Sequence, residues 1–170
     1  MRLTTQSTTL RRLSPDDLRA FQAYRNDPVV AQFQSWEAMD DDRAAGFLTH
    51  AATSEPLFTP GHWTQIAVAD AETDALLGDM GLHLSQDQTE AELGITLARA
   101  AQGQGHATRA VALAVGLLFD ETPIDRIRAW ADIRNMASQN LMVRAGFTEI
   151  GIEVTDGVTE AAFVRARADV

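Results

Sequence analysis

The fold of this chain is decided by the strand-like stretch Glu92-Leu93-Gly94-Ile95-Thr96-Leu97 and the turn Gln102-Gly103-Gln104-Gly105-His106-Ala107-Thr108 that follows it. An apolar run of helical length continues from the turn to Phe119. The turn carries two glycines and no acidic side chain, so several backbone N–H groups can approach one anion. The N-terminus of the following helix adds partial positive charge at the same place. The stretch therefore predicts a pyrophosphate cradle, and a glycine-capped loop is the alternative.

Three kinds of cradle compete for this turn. A P-loop requires a lysine, and the chain contains none. A Rossmann turn requires a third small residue where Thr108 stands and an acid at the end of the next strand, whereas Asp125 precedes the strand that begins at Ile127. The third pattern, Q/R-x-x-G-x-G/A, is met by Gln102, Gly105 and Ala107.

That third pattern resembles the coenzyme A pyrophosphate loop of the GNAT superfamily of N-acetyltransferases. A second segment, Asn135–Phe147, reads N-M-A-S-Q-N-L-M-V-R-A-G-F. It is similar to the N-x-A-S-x-x-L-x-x-x-x-G-F signature of the branch that contains the ribosomal-protein N-terminal (serine/alanine) acetyltransferases. Ala91-Glu92-Leu93-Gly94 is also similar to that branch. The three motifs fall in the expected order, and the resemblance covers nearly the whole chain.

Strand and helix patterns along the chain agree with that family. Trp63–Ala69, Ala75–Leu84 and the strand that carries Glu92 predict three consecutive antiparallel strands before the turn. Two closing strands, 148–154 and 158–165, are joined by an Asp-Gly hairpin turn. The resemblance implies a single N-acetyltransferase domain over residues 1–170, of the α/β (α+β) class. Its mixed, mostly antiparallel central sheet of about seven strands would be flanked by helices and splayed in the middle to admit acetyl-CoA.

Composition narrows the class of protein. The chain has 170 residues, no cysteine and a formal net charge of −10. The missing cysteines exclude disulfides, thiolate catalysis and cysteine metal sites. The acidic charge argues against non-specific binding to nucleic acid or to an anionic membrane, and it suits a cationic acceptor, although solubility alone also explains it. There is no apolar signal region and no run long enough to span a membrane, so a cytoplasmic protein is expected.

The resemblance implies acetyl-CoA as co-substrate and no metal. The sheet would open after Gly94, and backbone groups there would bind the pantetheine arm and polarise the thioester carbonyl. The glycine turn would hold the pyrophosphate, with His106 offering only its backbone N–H, and Asn135 would bind the pantetheine amide or simply begin a helix. The residues implied in cofactor binding are Ile95, Thr96, Leu97, Gln102, Gly103, Gln104, Gly105, His106, Ala107, Thr108, Asn135 and Ser138.

Two residues are candidates for catalysis. Glu92 is the candidate base, acting directly or through a water, because a carboxylate on a central strand is rarely buried without a task or a partner. A salt bridge to an arginine is its alternative. Ser138 matches the position that hydrogen-bonds the leaving sulfur, and its alternative is a role in starting a helix. The only tyrosine, Tyr24, falls on the first predicted helix, far from either motif in sequence.

The acceptor side is less well marked. Trp36, His83 and Glu92 are the candidate substrate-binding residues, and Trp36 has a core or edge position as its alternative. Ile95 stands where this branch commonly has tyrosine, and Arg109 stands where it often has glutamate, which leaves the acceptor preference open.

The function implied is an acetyl-CoA-dependent N-acetyltransferase. It would transfer the acetyl group to a primary amine, either a protein N-terminus or a small molecule, by direct attack in a ternary complex. A non-catalytic acyl-CoA-binding or sensing domain with the same fold is the alternative. The joint presence of Glu92, Asn135 and Ser138 favours the enzyme. No nucleic acid or membrane partner is expected, and assembly into a homodimer is left open.

Overall fold

The computed structural model describes residues 1–169. Its strands and helices follow in the order β1 (Arg2–Thr4), β2 (Thr8–Arg12), α1 (Leu18–Arg25), α2 (Pro28–Ala31), α3 (Asp41–Thr53), β3 (Trp63–Asp70), β4 (Leu76–Leu84), β5 (Glu90–Leu97), α4 (His106–Glu121), β6 (Arg126–Asp132), α5 (Met136–Arg144), β7 (Thr148–Thr155) and β8 (Val158–Ala166). Short 3-10 turns lie at Pro15–Asp17, Arg99–Ala101 and Arg167–Asp169.

All the strands belong to one sheet, in the order β1-β2-β3-β4-β5-β6-β8-β7. Neighbouring strands are antiparallel except for β5 and β6, which are parallel. The predicted mixed, mostly antiparallel sheet flanked by helices is therefore confirmed. It has eight strands instead of about seven, because the three residues Arg2–Thr4 pair with β2. So short a segment carries too little alternation to be recognised from sequence.

One face of the sheet holds the main core. Leu93 and Leu97 of β5 lie in it together with the buried side of α4, including Val111 and Val115. Successive side chains of a strand point to opposite faces, so Glu92, Gly94 and Thr96 point away from α4, as the sequence predicts. The helix after the glycine turn is thereby fixed against the centre of the sheet.

A second, smaller core covers part of the other face. Phe21 and Tyr24 of α1 pack with Leu48 of α3 and with Ala67 of β3. Helix α3 begins at an acidic run, as the sequence predicts. Asp40 caps it by accepting the Arg43 N–H at 2.8 Å. The small core lies against β3 and β4, whereas β5 and β6 on the same face border a cleft.

No helix within residues 1–169 combines the length and apolarity needed to cross a membrane.

Candidate active site

The centre of the sheet opens between β5 and β6. The two strands pair only at Glu90–Arg126, Ala91–Ile127 and Glu92–Arg128. Beyond Glu92, β5 continues to Leu97 paired with β4 alone, and β6 continues to Asp132 paired with β8 alone. Alternate residues of each strand therefore point backbone N–H and C=O groups into the gap. The pairing of β5 with β6 ends at Glu92, so the sheet opens two residues before Gly94, the position after which it was expected to open.

A cavity of about 620 Å³ fills this gap. All of the predicted cofactor residues line it except Gln104, whose side chain bends back to donate to the Ala100 carbonyl at 2.6 Å. The wall opposite the turn comes from α2 and the chain after it, through Val29, Val30, Gln32, Phe33 and Gln34. That wall is tied to the turn side by Arg99, which bonds both carboxylate oxygens of Asp27 at the start of α2.

Two glycines set the backbone of the turn. Gly103 and Gly105 have φ angles of 74° and 80°, a region that favours glycine. Gly105 also caps α4, so the first N–H groups of that helix have no partner within the helix, and the residues that carry them, His106, Ala107 and Thr108, line the cavity. A Cβ added at Gly105 would come 2.8 Å from Nη1 of Arg109. Arg109 itself donates to the Gln104 carbonyl at 2.6 Å, which braces the turn from outside.

Three polar side chains of the turn, Gln102, Gln104 and His106, form hydrogen bonds within the protein. His106 is buried, and its Nδ1 lies 2.9 Å from the hydroxyl of Thr8 on β2. Gln102 donates from Nε2 to the Leu97 carbonyl at 3.0 Å. The imidazole is therefore engaged with the sheet, which leaves His106 its backbone N–H for a ligand.

The start of α5 brings the second motif to the same cavity. Asn135 caps the helix, and its Oδ1 accepts the Ser138 N–H at 3.1 Å. Asn135, Ala137 and Ser138 all line the cavity. The cap uses only Oδ1 of Asn135 and the backbone N–H of Ser138. It does not use the Asn135 side-chain NH₂ or the Ser138 hydroxyl, so a structural role and a ligand role are compatible.

Glu92 lies at the point where β5 and β6 part. It does not itself line the cavity, but Leu93 and Gly94 do. Burial raises the pKa of the Glu92 carboxyl, His83 and Arg128 oppose that rise, and Glu160 adds to it. Arg128 stands opposite Glu92 in the register but donates to Glu153 at 2.7 Å instead. Glu92 forms no salt bridge with any residue from 1 to 169, so the structural alternative raised from the sequence is absent.

His83 and Trp63 extend the row of side chains beside Glu92. The register places His83 opposite Glu92 and Trp63 opposite His83, so the three share the face that looks away from α4. The two rings lie 5.2 Å apart between centroids, and Trp63 is exposed. His83 therefore neighbours the candidate base but lies outside the cavity lining.

Trp36 and Tyr24 belong to a buried network away from the cavity lining. Tyr24 donates to Oδ1 of Asp79 at 2.5 Å, Arg25 donates to Oδ2 at 2.7 Å, and Gln65 donates to the same carboxylate. The Trp36 ring lies over Arg25, 4.2 Å from the guanidinium carbon to the ring centroid. Trp36 is half-buried and packs against the small core, which corresponds to the core or edge position that was its alternative. The network fastens α1 to β3 and β4.

Sequence reasoning missed Glu160 of β8. It lines the cavity, and the register sets it between Asp132 of β6 and Glu153 of β7. Burial raises the pKa of its carboxyl, and the charges of Asp132 and Glu153 raise it further. Asp132 is paired with Arg134, which together with a backbone N–H holds the pKa of that carboxyl at about 2. Strand alternation over 158–165 was the available signal, but the partner strands were not known.

A second cavity, of about 660 Å³, lies beside the start of α1 and holds none of the predicted site residues. Arg11, in its wall, is already paired with Asp17 at 2.8 Å and with Asp74 at 3.1 Å. This second cavity lacks the glycine turn and the open backbone of the β5–β6 cleft. Among the described side chains, no group of three His, Asp or Glu residues is arranged to hold a metal ion.

Comparisons with known proteins agree with this geometry. The family model described as "Acetyltransferase (GNAT) domain" matches residues 7–148. The uncharacterized N-acetyltransferase p20 of Bacillus licheniformis is 26% identical over 151 residues, covering 88% of this chain and 84% of that protein. A GNAT-family acetyltransferase structure from Bacillus anthracis superposes with a TM-score of 0.83 at 16% identity, covering 98% of each chain.

A further solved structure shares the fold and holds a ligand. The spermidine N-acetyltransferase of Vibrio cholerae, in complex with CoA and spermine, has a TM-score of 0.80 at 20% identity and covers 97% of this chain and 98% of its own. Since the family model spans most of the sequence and the fold matches over nearly the full length, the chain belongs to the acetyltransferase (GNAT) domain family.

Proposed function

We propose that this protein is an acetyl-CoA-dependent N-acetyltransferase whose acceptor is a primary amine, with a cationic small molecule as the favoured class. The observation that carries the proposal is the β5–β6 cleft, in which a glycine turn, an open strand and the start of α5 border one cavity. The V. cholerae relative, bound to CoA and spermine, supports both substrates.

The residues of the cleft fit coenzyme A. The N–H groups after Gly105 would bind the pyrophosphate, the open backbone of Ile95–Leu97 would bind the pantetheine arm, and Asn135 would bind its amide. Acetyl-CoA supplies the acetyl group as a thioester. A backbone N–H of the open strand polarises the thioester carbonyl, and the Ser138 hydroxyl donates a hydrogen bond to the departing sulfur.

Glu92 serves as the general base. Its pKa is raised towards neutral pH, and a carboxylate with a higher pKa is a stronger proton acceptor. Glu92 lies just outside the cavity lining, so it takes a proton from the acceptor ammonium through a water. The neutral amine nitrogen then bonds to the acetyl carbon and the carbon–sulfur bond breaks. The departing coenzyme A thiolate takes up the second proton, which the nitrogen loses as it becomes an amide. His83 lies beside it and opposes the rise in its pKa.

The charge of the cleft favours a cationic acceptor. Glu160 lines the cavity without a salt bridge to any residue between 1 and 169, whereas its neighbours Asp132 and Glu153 are paired with arginines. An acceptor with a second ammonium group would stabilise the ionised form of Glu160. A protein N-terminus, which the N-x-A-S signature predicts, is the second acceptor class in this proposal.

A product assay tests the proposal. The purified protein is incubated with acetyl-CoA and a panel that contains a monoamine, a diamine, a polyamine and peptides with N-terminal serine or alanine, and acetylated product is measured by mass spectrometry. We expect the diamine or polyamine to be acetylated most efficiently. Glu160→Gln should raise the KM for the diamine more than that for the monoamine, whereas Glu121→Gln, which removes the same charge at the end of α4, should change neither.

Two results would contradict the proposal. CoA binding without acetylation of any amine would favour the non-catalytic acyl-CoA-binding domain. Efficient acetylation of the peptides alone would keep the enzyme but remove the cationic small molecule as its acceptor.

A further inference from the structure

Trp63, the first residue of β3, carries an aromatic ring that the core does not bury. The residue is 55% exposed, whereas Ile66 and Val68 of the same strand are fully buried. Tryptophan is highly buried on average in folded proteins, so an indole that served packing alone would be expected to lie deeper. The register of β3 with β4 sets Trp63 opposite His83, on the face that looks away from α4. The ring is therefore accessible to a ligand on the face of the sheet that carries Glu92.

The Trp63 ring leans along β4 and lies against Gly81. A Cβ built on Gly81 would come 3.0 Å from Cζ3 and 3.1 Å from Cε3 of the indole, and 3.3 Å from Oε1 of Gln65. These separations are shorter than the optimal separation of two carbon atoms, which is about 3.5–4.0 Å. The missing side chain of Gly81 therefore leaves the room that the indole occupies. The His83 ring supports the indole from the neighbouring position, at 5.2 Å between centroids.

The next position across the sheet is open. Gly81 stands directly opposite Gly94 of β5. Gly94 lines the cavity, and a Cβ built there would meet nothing within 4 Å. Neighbouring strands of a sheet lie about 4.8 Å apart, so the Trp63 ring lies roughly one strand spacing from this open position. Neither glycine has a side chain to fill the space between them. The ring therefore borders the acceptor side of the cleft at Gly94.

A carboxylate borders the same open position. Glu92 precedes Gly94 by two residues, so both lie on one face of β5. Glu92 is half-buried and forms no salt bridge with any residue between 1 and 169, because Arg128, its partner in the register, donates to Glu153. A cation above Gly94 would therefore have the indole on one side, the β5–β6 gap on the other, and a carboxylate beside it.

This arrangement suits an ammonium ion. The face of an aromatic ring attracts a cation that lies within about 6 Å of the ring centre, and tryptophan does so most strongly. The carboxylate of Glu92 adds an opposite charge to the same position. An uncharged acceptor group would gain only the apolar contact with the ring. The indole and the carboxylate together therefore select a charged amine over an uncharged group of the same size.

We infer that Trp63 is a specificity-determining residue of the acceptor site: its ring binds the reacting ammonium group of the acceptor above Gly94, while Glu92 supplies the opposite charge. The ligand class is an alkyl ammonium ion, whose first methylene groups pack against the ring. The inference rests on the proposed function and deepens it, since Glu160 was assigned only to a second ammonium group. It places the reacting nitrogen between the indole and the β5–β6 gap, where the thioester would lie.

Binding of a diamine to the CoA complex tests the inference without turnover, because CoA carries no acetyl group. Diaminobutane is titrated into the CoA-saturated protein by calorimetry, and butanediol is the uncharged control ligand. Trp63→Leu should weaken the binding of diaminobutane about 5- to 30-fold, which corresponds to about 1–2 kcal/mol, and Trp63→Phe should weaken it less. Ile152→Ala, at an exposed apolar position of β7, should bind diaminobutane as the wild type does. Equal affinity of the wild type and Trp63→Leu for diaminobutane, or equal affinity of the wild type for the two ligands, would overturn the inference.

Steady-state kinetics with the best amine of the panel gives a second test. Trp63→Leu should raise the KM for the amine about 5- to 30-fold and leave the KM for acetyl-CoA unchanged, because Trp63 lies outside the cavity lining. An amine KM equal to that of the wild type would overturn the inference and leave the proposed function intact. A wild-type protein that acetylates no amine would contradict the proposed function instead, and the calorimetric comparison would still decide the role of Trp63. Circular dichroism establishes that each variant is folded.

Discussion

Removing the Tyr24 hydroxyl and removing the Ser138 hydroxyl should have opposite effects on stability and on kcat. Tyr24 is 3% exposed and donates to Asp79, which is 1% exposed, at 2.5 Å. Ser138 lines the cavity at the start of α5. We expect Tyr24→Phe to lower the stability of the protein without lowering kcat, and Ser138→Ala to lower kcat without lowering stability.

The size of each effect follows from its surroundings. A hydrogen bond to a charged partner contributes about 1.5–3 kcal/mol to stability. For a chain of this length, a loss of 1 kcal/mol lowers the Tm by about 2–4 °C, so Tyr24→Phe should lower the Tm by about 3–12 °C. A hydrogen bond that strengthens as charge develops on the sulfur should make Ser138→Ala about 10- to 100-fold slower in kcat, or about 1.4–2.7 kcal/mol, with little change in the KM for acetyl-CoA.

The assay compares both variants under one set of conditions. Calorimetry gives the Tm of each, and initial rates with the best acceptor of the panel give kcat and the KM for acetyl-CoA. If Tyr24→Phe proves the more damaging to kcat, with affinity and Tm intact, the hydroxyl that assists the leaving group comes from α1 and the assignment to Ser138 is wrong.

Two further predictions concern β5. Because the pKa of Glu92 is raised in the folded state, its ionisation destabilises the protein as pH rises through that pKa. Glu92→Gln should therefore raise the Tm at neutral pH, with no gain below the ordinary glutamate pKa of about 4.3. The same variant should have a kcat that is lowered most near neutral pH and that recovers partly at high pH. An unchanged Tm with a rate scaled down equally at every pH would contradict this. A Cβ at Gly94 would meet nothing within 4 Å, so Gly94→Leu should fold, fill the acceptor side of the cleft and raise the acceptor KM more than the acetyl-CoA KM; equal KM changes would place the acceptor elsewhere.

Much of the fold, and of the cofactor side of the cleft, could be predicted from local sequence. The turn residues and the start of α5 are fixed by glycine conformations and a helix cap, which depend on neighbours in sequence. The closing hairpin was predicted at 148–154 and 158–165, and the structure has Thr148–Thr155 and Val158–Ala166. These elements could be predicted because their signals lie within a few residues.

The acceptor side depends on strand partners that are distant in sequence. Glu160 reaches the cleft only because β8 pairs with β6, and Arg128 leaves Glu92 unpaired only because Glu153 of β7 takes its guanidinium. Trp36 could not be assigned from the sequence because its contact with Arg25 depends on how α1 packs on the sheet. Periodicity shows which residues share a face, but it does not show which strands become neighbours.

The most direct test of the account is calorimetric titration of CoA into Gly105→Ala. At this position φ is 80° and a Cβ would come 2.8 Å from Arg109, so the substitution should shift the N–H groups that cradle the pyrophosphate. We predict an affinity weaker by about 1–3 kcal/mol than that of the wild type. Gly116→Ala, in the same helix and with open space around its Cβ, should bind CoA normally. A folded Gly105→Ala protein with unchanged affinity would contradict the assignment of the turn as the pyrophosphate cradle.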